Sequence, residues 1–77
     1  MHQFDIMIRS LREVQAFVAL ATAQPFDVVV GNGQHRINGK NFMGMFTLDF
    51  RHPLQVSVQC SDEEYSDFRK QAASFLI

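Results

Sequence analysis

Leu54-Gln55-Val56-Ser57-Val58-Gln59-Cys60, running directly into Ser61-Asp62-Glu63-Glu64, is the stretch on which the fold turns. Apolar Leu54, Val56, Val58 and Cys60 alternate with polar Gln55, Ser57 and Gln59. A period of two is the mark of a strand with one buried face. Ser61 followed three residues later by Glu64 is a capping box, which satisfies two free amides at a helix start. Asp62 and Glu63 add negative charge where the helix dipole favours it. Tyr65, Phe68, Ala72, Phe75 and Leu76 then recur at helical spacing, so the chain is expected to end in this helix.

Upstream, the same signals repeat. Phe4, Ile6 and Ile8 alternate with polar or flexible residues and predict a strand over Gln3 to Ile8. Ser10-Leu11-Arg12-Glu13 reads as another capping box. It opens a helix whose apolar stripe is Leu11, Val14, Phe17, Val18 and Ala21, ending near Gln24 because Pro25 disfavours helix in the residue before it. Phe26, Val28 and Val30 alternate as a second strand. Gly31-Asn32-Gly33 supplies hairpin-turn chemistry, and Gln34 to Ile37 returns as a short strand broken at Asn38-Gly39. Asn41 can cap one or two turns of helix through Phe42, Met43, Met45 and Phe46, kept short by Gly44. The order is β-α-β-β-α-β-α, an α+β chain with an antiparallel or mixed sheet and helices packed on one side.

The bulk numbers agree with one packed domain spanning 1–77. Hydrophobic residues are 47% of the 77, eight of them Phe, and charged residues are 19%, which argues against disorder. A formal net charge of -1 gives no field for sequence-independent nucleic-acid binding. Cys60 is the single cysteine, which excludes an internal disulfide and a cysteine-rich metal site. No signal-peptide pattern or bilayer-length apolar run is visible, so a cytoplasmic protein is the expectation.

Asn38-Gly39-Lys40-Asn41-Phe42-Met43-Gly44-Met45-Phe46-Thr47-Leu48 carries a family resemblance. Lys40 to Leu48 is similar to the Lys-Ser-(apolar)-Met-Gly-(apolar)-Met-Ser-Leu run of HPr-type phosphocarriers, from the bacterial phosphoenolpyruvate-dependent sugar phosphotransferase system. Arg12 with Phe17-Val18 resembles the Arg and Phe-Val of that family's first helix, and the strand, acidic turn and terminal helix also fit. The resemblance covers nearly the whole chain. It implies an HPr-like open-faced β-sandwich, with a four-stranded antiparallel sheet and three helices on one side. It further implies a monomer without cofactor or membrane insertion, whose partners are phosphotransferase enzymes or related regulators.

The departures from the family are chemical. Its active loop runs Ala-x-x-Gly-(apolar)-His-Ala-Arg-Pro-Ala; here Ile8 leads through Arg9 and Ser10 to Leu11 and Arg12, with Glu13 in place of proline. Ser10 lies near the phospho-histidine position, and Asn41 matches the regulatory serine. A phosphorylated imidazole is a good leaving group and keeps its phosphate activated, whereas a serine ester does not. His2, His35 and His52 are not expected at a helix N-terminus, where free amides favour phosphate.

Arg9, Ser10 and Arg12 are the anion-binding candidates, since arginine forks and free amides both suit phosphate. The plainer alternative is a capped helix with two solvated arginines, with Glu13 opposing any anion. Phe42, Met43 and Phe46 match the family's partner contacts and are the docking candidates; of Phe42, Met43, Met45 and Phe46, two are expected inward and two outward. Cys60 reads as a buried small side chain, His35 and His52 as surface histidines, and Asp62, Glu63, Glu64 and Asp67 as a dipole-matched helix start without the spacing of a cation site. With no nucleophile–base pair, the chain is not expected to be an enzyme. The leading expectation is a non-phosphorylatable binding or regulatory module that keeps the HPr docking surface. The alternatives are a divergent phosphocarrier relaying phosphate from Enzyme I to sugar-specific components, and a fold relative with an unrelated partner.

Overall fold

Alternation along four strands builds the sheet. The computed structural model describes residues 2–48 and 51–76, and within them β1 (His2–Ile6), β2 (Val28–Gly31), β3 (Arg36–Asn38) and β4 (Leu54–Val58) form one antiparallel sheet in the order β1-β4-β2-β3. The register sets Phe4, Val56, Val30 and Ile37 side by side in one row across all four strands. Ile6 beside Leu54, and Val28 beside Val58, extend the same apolar face. Against it pack Val14, Phe17, Val18 and Ala21 of α1 (Leu11–Thr22), Met45 of α2 (Phe42–Met45) and Phe68 of α3 (Asp62–Gln71). The helices therefore share one side, and the expected open-faced α+β sandwich with order β-α-β-β-α-β-α is the observed one.

Aromatic rings fill the space between the layers. Phe68 is fully buried, with ring centroids 5.8 Å from Phe4, 6.4 Å from Phe17 and 5.7 Å from Phe26. Phe75 meets Phe17 edge-on at 5.7 Å. Such edge and tilted pairs add attraction beyond the area they bury, which matters in a chain with so little interior.

Local chemistry fixes the ends of the elements. Ser61 Oγ accepts from the Glu64 N–H at 3.1 Å, and Glu64 Oε1 accepts from the Ser61 N–H at 3.1 Å, completing the box that the sequence predicts. Ser61→Ala is expected to lower stability by about 1 kcal/mol, read as a shifted urea midpoint with an unchanged slope. Asn41 caps α2 by accepting from the Gly44 N–H at 3.1 Å. Lys40 donates through Nζ to the Gln24 carbonyl at 2.9 Å, tying the segment before α2 to the turn after α1.

Several boundaries differ from expectation. α1 ends at Thr22 rather than near Gln24, and Phe26 stands half-buried outside β2. β3 covers Arg36–Asn38, later than expected, because Asn32 holds the turn open: its side-chain oxygen accepts from the N–H groups of Gln34 and His35, and Gly33 takes a positive φ of 97°. Leu11 is 54% exposed and leaves the predicted core stripe, which runs from Val14 through Phe17 and Val18 to Ala21. Cys60 is half-buried beyond the end of β4 instead of closing its apolar face.

The C-terminal segment also departs from a plain helix. α3 stops at Gln71, a 3-10 turn covers Ala73–Phe75, and Leu76 is extended and bridges Ile6 in antiparallel fashion. The Met7 N–H donates to the Phe75 carbonyl at 2.8 Å, which ends β1 at Ile6 rather than Ile8, although Ile8 remains buried. Tyr65 donates its hydroxyl to the Gln3 carbonyl at 3.4 Å. The outer edge of β1 is thus occupied by the chain's own C-terminal elements.

Candidate functional site

The loop between β1 and α1 delivers Arg9, Ser10 and Arg12 to one end of the sheet. Ser10 is the N-cap of α1 in extended conformation, and its Oγ accepts from the Glu13 N–H at 3.2 Å. The second half of the expected capping box is absent. Glu13 Oε1 instead accepts from the Arg9 N–H at 2.8 Å, one residue further back, and lies 3.8 Å from Arg9 Nη1. The predicted reciprocal bond to Ser10 is therefore replaced by a carboxylate closed over Arg9. With Ser10 nearly fully extended, the amide that meets the side chain three residues into the helix is that of Arg9. Arg12 is exposed on the first turn.

That arrangement has a definite electrostatic consequence. Glu13 carries negative charge at the mouth of the helix and neutralises Arg9 there, leaving Arg12 as the unopposed cation of this trio. Ser10 presents its oxygen to the chain's own amide. The three histidines lie elsewhere. His2 is on β1, stacked on Tyr65 with ring centroids 4.2 Å apart, and its Nε2 is 2.9 Å from Asp62 Oδ1. His35 is in the β2–β3 turn, and His52 is in the turn before Pro53.

α1 and the short α2 pack against each other, and α2 carries exposed apolar side chains. Met43 is 72% and Phe46 42% exposed; with Leu11 they are the exposed large hydrophobics among the described residues. Phe42 is half-buried, packed on the core and edge-on to Phe46 at 5.0 Å, while Met45 is fully buried. The expected even division of α2 is thus realised, with Met43 and Phe46 outward. Leu11, which its helical spacing placed in the core stripe, is exposed as well. Asn41 is exposed and uses its side chain as the α2 cap.

Charge is divided between the ends of the molecule. The backbones of Arg9, Arg12, Arg51, Arg69 and Lys70 lie at the end where β1 finishes, β4 starts and α3 finishes. Asp27, Asp62, Glu63 and Glu64 lie at the opposite end, where β2 and α3 begin. Cys60 sits at the acidic end, where desolvation and then the carboxylates of Glu64 and Asp62 push its thiol up from the ordinary range. Alkylation of Cys60 by iodoacetamide at pH 8 is expected to run slower than that of free cysteine, followed by intact mass. No group of three or more His, Cys, Asp or Glu side chains able to hold a metal exists among the described residues. No helix among them is long and apolar enough to cross a membrane.

No family model matches the sequence, and no curated protein matches it. The fold, however, is found among solved structures. HPr-C-His from Thermoanaerobacter tengcongensis is similar with a TM-score of 0.78 and 21% sequence identity, over 96% of this chain and 89% of that one. The architecture is therefore that of an HPr protein.

Proposed function

We propose that this chain is a docking or regulatory module of the sugar phosphotransferase type, which uses an HPr-like surface to engage a phosphotransferase enzyme or related regulator without relaying phosphate. The observation that carries this reading is the mouth of α1. Ser10 stands at the N-cap with its oxygen bonded to the Glu13 amide, and the Glu13 carboxylate is folded over Arg9. A phosphoryl group brought there would meet a carboxylate and a hydroxyl. An activated phosphoramidate needs an imidazole at that position, and the histidines of this chain lie on β1, in the hairpin turn and before Pro53.

The docking half of the reading rests on exposed Met43 and Phe46, with half-buried Phe42 edge-on to Phe46, and on exposed Leu11 and Arg12 of α1, the helix packed against α2. Met and Phe are adaptable interface residues, and a cation on the rim favours a partner with carboxylates around an apolar centre. Asn41, bonded into the α2 cap, has no hydroxyl to accept regulatory phosphate.

The test is incubation with phosphoenolpyruvate, Enzyme I and a true HPr as positive control, read by intact mass. The expected result is an unchanged mass beside a phosphorylated control. An acid-labile gain of one phosphate would establish the divergent-carrier reading and overturn this one. Titration of labelled chain with Enzyme I is expected to shift the amides of residues 42–46 and of Leu11, and shifts absent there would refute the retained interface.

A further inference from the structure

The face of the sheet away from the helices carries a second feature, separate from the α1–α2 surface. Two rows of side chains cross it: Gln3, Ser57, Val29 and Asn38 in one, Asp5, Gln55, Gly31 and Arg36 in the other. Gly31 interrupts the second row. A Cβ placed there would stand 2.8 Å from the His35 carbonyl oxygen and 3.2 Å from Cγ of Arg36. Gly31 has no positive φ; its missing side chain leaves room first for the His35 carbonyl of the hairpin turn and then for the stem of Arg36. The aliphatic stem of Arg36 lies across β2 in the place a neighbour's side chain would fill.

The Arg36 side chain lines two adjoining hollows, of about 500 Å³ over β2 and β3 and about 150 Å³ over β2 and β4. Asp27 lines both as well, and Val29 forms the wall between them. Ser57, only 7% exposed, lines the smaller one. Arg36 and Asp27 form no ion pair with each other or with any other described residue. A cation and an anion without an ion-pair partner among the described residues thus line the same two hollows, together with Val29.

We propose that this surface binds a free α-amino acid with an apolar side chain. Its carboxylate pairs with the Arg36 guanidinium, whose planar fork suits a carboxylate. Its ammonium pairs with Asp27, and its side chain rests on Val29. A zwitterion satisfies both fixed charges at once, whereas a simple anion or cation leaves one unmatched; the Ser57 hydroxyl offers a further polar contact. Because both hollows are open to water, binding is weak and selective for the doubly charged form.

The experiment is a two-dimensional 15N–1H titration with leucine, leucinol and 4-methylpentanoate, which share the side chain and differ in the charged groups. Leucine is expected to give saturable shifts at Val29, Arg36 and Ser57, with leucinol and 4-methylpentanoate each at least about tenfold weaker. Arg36→Gln, a change at an exposed position, is expected to keep the dispersed spectrum and weaken leucine binding by about tenfold or more. Non-saturating shifts with leucine, equal binding of either singly charged analogue, or undiminished binding by Arg36→Gln would each overturn the assignment. The phosphotransfer and Enzyme I experiments leave this result untouched, since no residue is shared between the two surfaces.

Discussion

Val56→Asp is expected to leave the chain unfolded at 25 °C, with a random-coil far-UV spectrum and a collapsed amide dispersion. Val56 is fully buried in β4, with Phe4 on one neighbouring strand and Val30 on the other. The described residues that make up the core around it are apolar, so an aspartate there must either stay charged without a partner or bind a proton. Either route costs several kcal/mol. A domain of this size has about 4 to 11 kcal/mol in total, so the loss consumes most of its stability. The control is Gln55→Asp, which adds the same charge one residue away on the exposed face; it faces Asp5 across the strands, a like-charge pair that costs under about 1 kcal/mol, and the variant is expected to fold. A folded Val56→Asp protein would mean that the two faces of β4 have been assigned the wrong way round.

The second large effect is Phe68→Ala. Phe68 is where the aromatic layer converges, in contact with rings from β1, from α1 and from the segment before β2. Truncation removes a ring from a site whose neighbours belong to three different elements, and these cannot all move inward together. The expected cost is about 3–5 kcal/mol. At a urea slope of ~1 to 2 kcal/mol/M the midpoint falls by roughly 2 M or more. Phe68→Leu restores much of the volume and is expected to recover more than half of the loss. A midpoint unchanged by Phe68→Ala would show that the ring layer is not the centre of the core.

Most of the fold was legible because its signals are local. The alternation of Leu54, Val56 and Val58, the Ser61–Glu64 box and the Asn41 cap are each decided within a few residues, and each is found as read. The misreadings share one cause: they depend on what lies across space. Leu11 has helical spacing, but nothing in the core covers it and it stays exposed. Glu13 has the right spacing for Ser10, but the entry angle of the chain gives it the Arg9 amide. Ser57 alternates as an outward residue, yet it is covered because β4 is flanked on both sides by other strands. The extended Leu76 beside Ile6 pairs residues from opposite ends of the chain, which no window of sequence reveals. The same holds for the candidate sites. Residue types at the α1 mouth and on α2 could be named in advance, whereas the Arg36 stem on Gly31 appears only once β2 and β3 are in register.

The strand order has a consequence for biosynthesis. β1 and β2 are not neighbours in the sheet; β4, the last of the four strands to be made, lies between them and pairs with both. A ribosome that has not yet produced residues 54–58 holds a chain whose only available strand pairing is the small β2–β3 hairpin, while β1 and the apolar stripe of α1 wait unpaired. Folding is thereby deferred until residues 54–58 have been made and is dominated by contacts between distant parts of the domain, the condition under which small domains fold slowly. Arrest of synthesis before Leu54 should therefore yield a protease-sensitive nascent chain, and release just beyond the terminal segment should yield a resistant one.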